Sequence, residues 1–154
     1  MPITSNIGGP LYLGSKLTTA PDGTLPNIGS PILVQNMLVA SVVTTGTAAI
    51  TSTYTVNVPA SSQITQFTID LITAWNSNTS ASLKIGTAST GTDYVSAIDL
   101  KTATPGRLSL TPTTTQLQNF ANVGANTAVV ATVVSTGTAS AGYAAIQVHY
   151  VQGS

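Results

Sequence analysis

The chain contains no cysteine and no glutamate. The first absence excludes disulfides and thiolate metal sites, and it leaves the redox compartment open. The second belongs to a wider shortage of charge. Charged residues make up 5% of the sequence, where soluble domains run near 25%. The whole inventory is Lys16, Lys84, Lys101, Arg107, Asp22, Asp70, Asp93 and Asp99, and the net charge is zero. Phosphate neutralisation needs clustered Lys and Arg, so nucleic acid is not an expected partner. β proteins commonly guard their strand edges with charge, and this chain has almost none to use. Two readings follow. Either Thr, Ser, Asn and Gln solvate the surface, or neighbouring subunits cover it.

Long apolar runs are missing too. The best candidate, residues 37–50, is interrupted by Thr44, Thr45, Gly46 and Thr47, short of the ~18 residues that span a bilayer. Met1-Pro2-Ile3-Thr4 has neither a basic n-region nor an apolar h-region, so no secretory leader and no membrane partner are expected.

Catalytic and metal-binding residues are equally sparse. His149 is the sole histidine, and strand alternation sets it opposite an Ile146, Val148, Tyr150 face. No Gly-x-Ser-x-Gly elbow accompanies it, so a nucleophile, base and carboxylate triad is not expected. One His, no Cys and four scattered Asp do not make a zinc site or a tight calcium loop. The run Gly86 to Thr92 has phosphate-loop spacing but lacks the Lys, and a strand follows it, not a helix. Asn78-Thr79-Ser80 has the form of a glycosylation sequon but reads as a turn. The chain is therefore expected to have no enzymatic activity, no cofactor and no metal.

What is present reads as β structure. The 154 residues suit one domain, long enough to bury a core without staples. The clearest stretch is residues 64–85. Phe67, Ile69 and Leu71 alternate with Gln66, Thr68 and Asp70, a period of two that marks a strand with one buried face. Residues 76–80 are turn formers, and Leu83 and Ile85 resume the alternation. This predicts a hairpin, with Trp75, the only tryptophan, packing in its core face. A carbohydrate platform is the competing role for Trp75.

Further strands are expected over residues 32–43, 53–58, 94–100 and 107–110. Residues 128–134 and 143–151 read as a second hairpin. Residues 112–124 fit either a short helix or an irregular strand. Short strands separated by Gly, Pro and Asn indicate a sandwich or barrel. The expected fold is all-β: a single jelly-roll-like β-sandwich of about eight antiparallel strands over residues 32–154.

Residues 1–31 differ. Pro2, Pro10, Pro21, Pro26 and Pro31 fall there, with five glycines, so neither a central strand nor a helix fits. Ile3, Ile7, Leu11, Tyr12, Leu13 and Leu17 nevertheless supply apolar anchors, and low hydrophobicity is what disorder requires. The segment reads as an extended N-terminal arm, docked on its own domain or on another subunit.

This arm leads into a Thr/Val/Ala-rich β domain. That domain runs from Val58-Pro59-Ala60 through Phe67-Thr68-Ile69-Asp70-Leu71, Leu83-Lys84-Ile85-Gly86 and Asp93-Tyr94-Val95 to Gly142-Tyr143-Ala144-Ala145-Ile146-Gln147-Val148-His149-Tyr150. The pattern resembles the capsid cement (decoration) proteins of tailed bacteriophages, in style and over residues 32–151, with no diagnostic motif. The resemblance implies a structural virion protein on the capsid surface. It would be a homo-oligomer, commonly a trimer, whose partner is the major capsid protein and which bridges neighbouring capsid subunits. The arm anchors Ile3, Ile7, Leu11, Tyr12, Leu13 and Leu17 would then be the partner-binding residues. The alternative is a tail-fibre or spike domain that binds host-surface glycans.

Overall fold

Eight strands and one short helix account for the regular structure in the computed structural model, which describes residues 32–42, 46–120 and 125–152. The strands are β1 (Leu33–Ala40), β2 (Ala49–Val58), β3 (Ser62–Thr73), β4 (Ser80–Gly86), β5 (Val95–Asp99), β6 (Gly106–Arg107), β7 (Thr127–Thr136) and β8 (Tyr143–Gln152). The helix α1 (Thr114–Phe120) lies between β6 and β7.

The strands form two four-stranded antiparallel sheets, ordered β1-β8-β3-β6 and β2-β7-β4-β5. The pairing has a simple rule. β1 pairs with β8, β2 with β7, β3 with β6 and β4 with β5. A long hairpin pairs strands in this way, and rolling it up adds the β3–β8 and β4–β7 ladders. The result is a jelly roll, as the strand spacing predicts.

The two expected hairpins need correction. β3 lies in the first sheet and β4 in the second, and β7 and β8 are divided likewise. Residues 74–79 and 137–142 are therefore arches that carry the chain across the core. The alternation was real, but it reports a buried face and not a partner. Phe67, Ile69 and Leu71 meet Leu83 and Ile85 from the opposite layer of the same core.

The two arches are tied together at one end of the sandwich. The Asn76 amide oxygen accepts from the backbone N–H of Ser140 and Ala141, both at 2.9 Å, and its amide nitrogen donates to Ser140 Oγ at 2.9 Å. Trp75 is 1% exposed, which agrees with core packing and leaves no stacking platform. Its ring lies against Gly142, where an added Cβ would sit 2.3 Å from the indole and where φ is +151°. Only glycine fits there.

The helix is the reading that sequence left undecided. Its start is a capping box: Gln116 N–H donates to Thr113 Oγ1 at 3.2 Å, and Thr113 N–H donates to Gln116 Oε1 at 2.9 Å. The Thr113-x-x-Gln116 spacing is the signature of that motif. Phe120 at the other end completes an aromatic cluster, with ring centroids 5.3 Å from Phe67 and 6.1 Å from Tyr94.

Candidate interaction surface

The lateral sides of the sandwich are unlike. On one side the edges are β5 and β6, of 5 and 2 residues. Short edge strands offer little template for pairing. Loops and α1 cover this side further. Gln116 donates from Nε2 to Thr92 O at 3.0 Å and to Ser96 Oγ at 2.9 Å, and Asn119 Nδ2 donates to Asp93 O at 3.0 Å.

Every charged residue of the described chain belongs to this half. Arg107 makes a bidentate pair with Asp70, at 3.0 and 3.3 Å. Asp93 Oδ2 accepts from Thr87 N–H and Thr87 Oγ1, both at 2.9 Å. These bonds stabilise the carboxylate and hold its pKa below the ordinary value. Thr102 Oγ1 at 2.6 Å and the Lys101 and Thr102 N–H groups do the same for Asp99. Lys84 and Lys101 donate to backbone carbonyls of nearby turns. Each charge is engaged locally, in fastening a loop or an edge.

The opposite side is built from β1 and β2, the long edges of the two sheets. They run 8 and 10 residues and contain no charge, no proline and no glycine. Neither β1–β8 nor β2–β7 shows a register shift, whereas β3–β8 and β4–β5 do. The usual guards of a free edge are charge, proline, a bulge or brevity, and both strands lack all four. Two side chains bridge the gap. Tyr54 OH donates to Ala40 O at 3.0 Å and accepts from Ala40 N–H at 3.2 Å, and Gln35 Nε2 donates to Asn57 O at 2.7 Å. Leu33, Tyr54 and Val56 pack against the core there but stay partly uncovered.

The outer face of the first sheet continues this surface. Val34 and Leu38 of β1 are 42% and 59% exposed, Ile32 just before them 58%, and Ile72 of β3 53%. Between them run the rows Val34–His149–Gln66, Asn36–Gln147–Thr68 and Leu38–Ala145–Asp70. His149 occupies the outward row that alternation assigns it, and its Nε2 lies 3.2 Å from Thr68 Oγ1. Among the described residues, no carboxylate shares that hydrogen bond.

A cleft of about 470 Å³ opens beside the β3 bulge, floored by Phe67, Leu108 and Phe120 and flanked by Arg107 and Leu117. Its one charged group, Arg107, is already paired with Asp70. Among the described residues, no three His, Cys, Asp or Glu side chains converge on a possible metal position.

No protein-family model, curated protein or solved structure matches this chain. The surface is thus read from its own chemistry. The predicted contact residues Ile3, Ile7, Leu11, Tyr12, Leu13 and Leu17 lie outside the described residues. The β1–β2 side was not singled out from sequence. Its signal was available as eighteen strand residues without a charge, but finding it requires knowing which strands are edges.

Proposed function

We propose that this chain is a structural virion protein, a capsid cement or decoration protein that binds the outer capsid lattice and bridges neighbouring capsid subunits. The observation that carries the reading is the unguarded β1–β2 side. A free monomer with two long, bulge-free, uncharged edges and a row of exposed Ile, Val and Leu beside them is liable to associate. A subunit that spends its working life against a lattice makes use of the same features. The jelly roll suits this role by analogy, since it recurs in viral capsid domains.

In this role Val34, Leu38 and Ile72 supply apolar contact, at about 25 cal/mol per Å² of area removed from water. The arm preceding β1, which begins with Ile3 and Ile7, supplies a second attachment across the seam between subunits. The shortage of charge makes binding insensitive to salt, because few ion pairs are available to screen. The protein is expected to act as a homo-oligomer, a trimer at threefold positions, with the major capsid protein as partner.

The test is quantitative binding to shells of the phage that encodes the chain, stripped of this protein. Saturable binding to the shell, together with its loss on deletion of residues 1–25 from a domain that still folds, is the expected result. Density on the tail and not on the shell would overturn the reading.

A further inference from the structure

The bonds around β2 fix which of its backbone groups are already engaged. Asn57 O accepts from Gln35 Nε2 across the gap between the sheets, so this carbonyl points away from β7. On the far side of β7, Thr79 N–H donates to Thr136 O at 3.1 Å. Thr136 therefore turns its backbone toward β4, and Ser135, Val133, Ala131 and Val129 turn theirs toward β2. The β2–β7 register has no shift and pairs these four with Ile50, Ser52, Tyr54 and Val56. In an antiparallel ladder a residue's N–H and C=O point to the same side, and the side alternates along the strand. The two observations agree. The backbone of Ala49, Thr51, Thr53 and Thr55 faces outward, and among the described residues nothing bonds to it.

This row is the longer free stretch of edge on the open side. On β1 the outward N–H and C=O of Ala40 are taken by Tyr54 OH, which leaves Val34, Asn36 and Leu38. On β2 the Asn57 end is taken, and the rest is free. The chemistry of the row names its occupant. N–H and C=O groups that recur at every second residue, about 6.7 Å apart, are matched by another extended backbone. Tyr54 and Val56 point inward, pack against the core and stay partly uncovered, so an incoming strand sets apolar side chains at alternate positions over them. The side chains of Thr51, Thr53 and Thr55 are exposed and take small or polar neighbours. Neither β1 nor β2 carries a charge, so a charged residue of the incoming strand would meet no counter-charge there. A strand of about seven residues covers the row.

We propose that the partner seated on the open side binds by strand addition. An uncharged, extended segment of a capsid subunit, apolar at alternate positions and without proline where it must donate, pairs with β2 through Ala49, Thr51, Thr53 and Thr55. This deepens the cement reading and rests on it. The main chain supplies the attachment, and Tyr54 and Val56 select the side chains that fit. A second copy pairing β2 with β2 would build a twofold dimer, not the trimer expected of this chain.

The test uses the full chain and shells stripped of it. Binding is expected to slow amide exchange at Thr51, Thr53 and Thr55 by about a hundredfold, whereas Ser52, Tyr54 and Val56 are already slow in the free protein through β7. Thr53→Pro removes one outward donor and leaves the β7 ladder intact, the placement in which an edge strand tolerates proline. Thr51→Pro does the same one pair along. A proline variant that keeps the wild-type circular dichroism is expected to lose about tenfold or more in shell affinity. Thr53→Ala keeps the backbone donor and is expected to change affinity by less than about twofold. The exchange measurement needs no variant, so it decides the matter even if neither proline variant folds. Slow exchange at Thr51, Thr53 and Thr55 in the free protein would overturn the proposal, because a second copy or the chain itself would then fill the edge. Unchanged exchange on binding, or a Thr53→Ala loss equal to that of Thr53→Pro, would overturn it too and assign the contact to side chains. Those last two results leave shell binding, and with it the cement reading, in place. A wild-type chain that does not bind shells removes both.

Discussion

Among the described residues, one lateral side of this sandwich is closed and charged, and the other is open and uncharged. On the β5–β6 side, α1, the 87–94 loop and six charged residues fasten one another through named bonds. On the β1–β2 side, the hydrogen bonds between the two long strands among the described residues are the Tyr54 and Gln35 bridges. The same core lies behind both. Among the described residues, the few charges are spent on internal fastening of one side, and the edge strands of the other carry none.

The comparison is sharpened first where the closed side is strongest. Phe120→Ala removes a ring from the Phe67–Tyr94–Phe120 cluster and is expected to cost about 3 kcal/mol in denaturant unfolding. Gln116→Leu keeps the volume but loses the capping bond and leaves Thr92 O and Ser96 Oγ without this donor; about 2 kcal/mol is expected. On the open side, Tyr54→Phe removes both bonds to Ala40 and is expected to cost about 1 kcal/mol in the same assay. A loss of 3 kcal/mol there would erase the distinction between the sides.

Val34→Asp with Leu38→Asp is expected to change stability by no more than about 0.5 kcal/mol per site, as for exposed positions generally. The same variant is expected to lose shell binding in cosedimentation. The smallest effect is acid sensitivity. Asp93 and Asp99 have pKa values lowered by the N–H and O–H groups they accept from. The unfolded chain therefore binds protons first as pH falls, so their stabilisation is present above about pH 4 and is lost below it. Asp99 is exposed and Asp93 is half-buried, and solvent screens the effect. It should appear as faster amide exchange in residues 87–102 before β1 and β2 respond.

Much of the fold was legible because burial alternation is local. Phe67, Ile69, Leu71, Ile146 and Val148 all face the core as their spacing predicts. The partners were not legible. In a jelly roll, consecutive strands usually belong to opposite sheets, so residues 64–85 and 128–151 imitate hairpins while pairing elsewhere. The helix was marked by Thr113 and Gln116, three apart, a signal that is easily lost among so many threonines. The open side was the least visible feature. Lack of charge reads as composition until the topology shows that β1 and β2 are edges. The predicted arm anchors Ile3, Ile7, Leu11, Tyr12, Leu13 and Leu17 lie outside the described residues.

The central claim is that the open side is the assembly side. Amide hydrogen exchange of the free and shell-bound protein, compared residue by residue, tests it most directly. The account predicts strong protection on binding in Ala49–Val58, with residues 87–102 and 108–120 unchanged. Protection confined to those closed-side residues, with β2 exchanging as in the free protein, would contradict it.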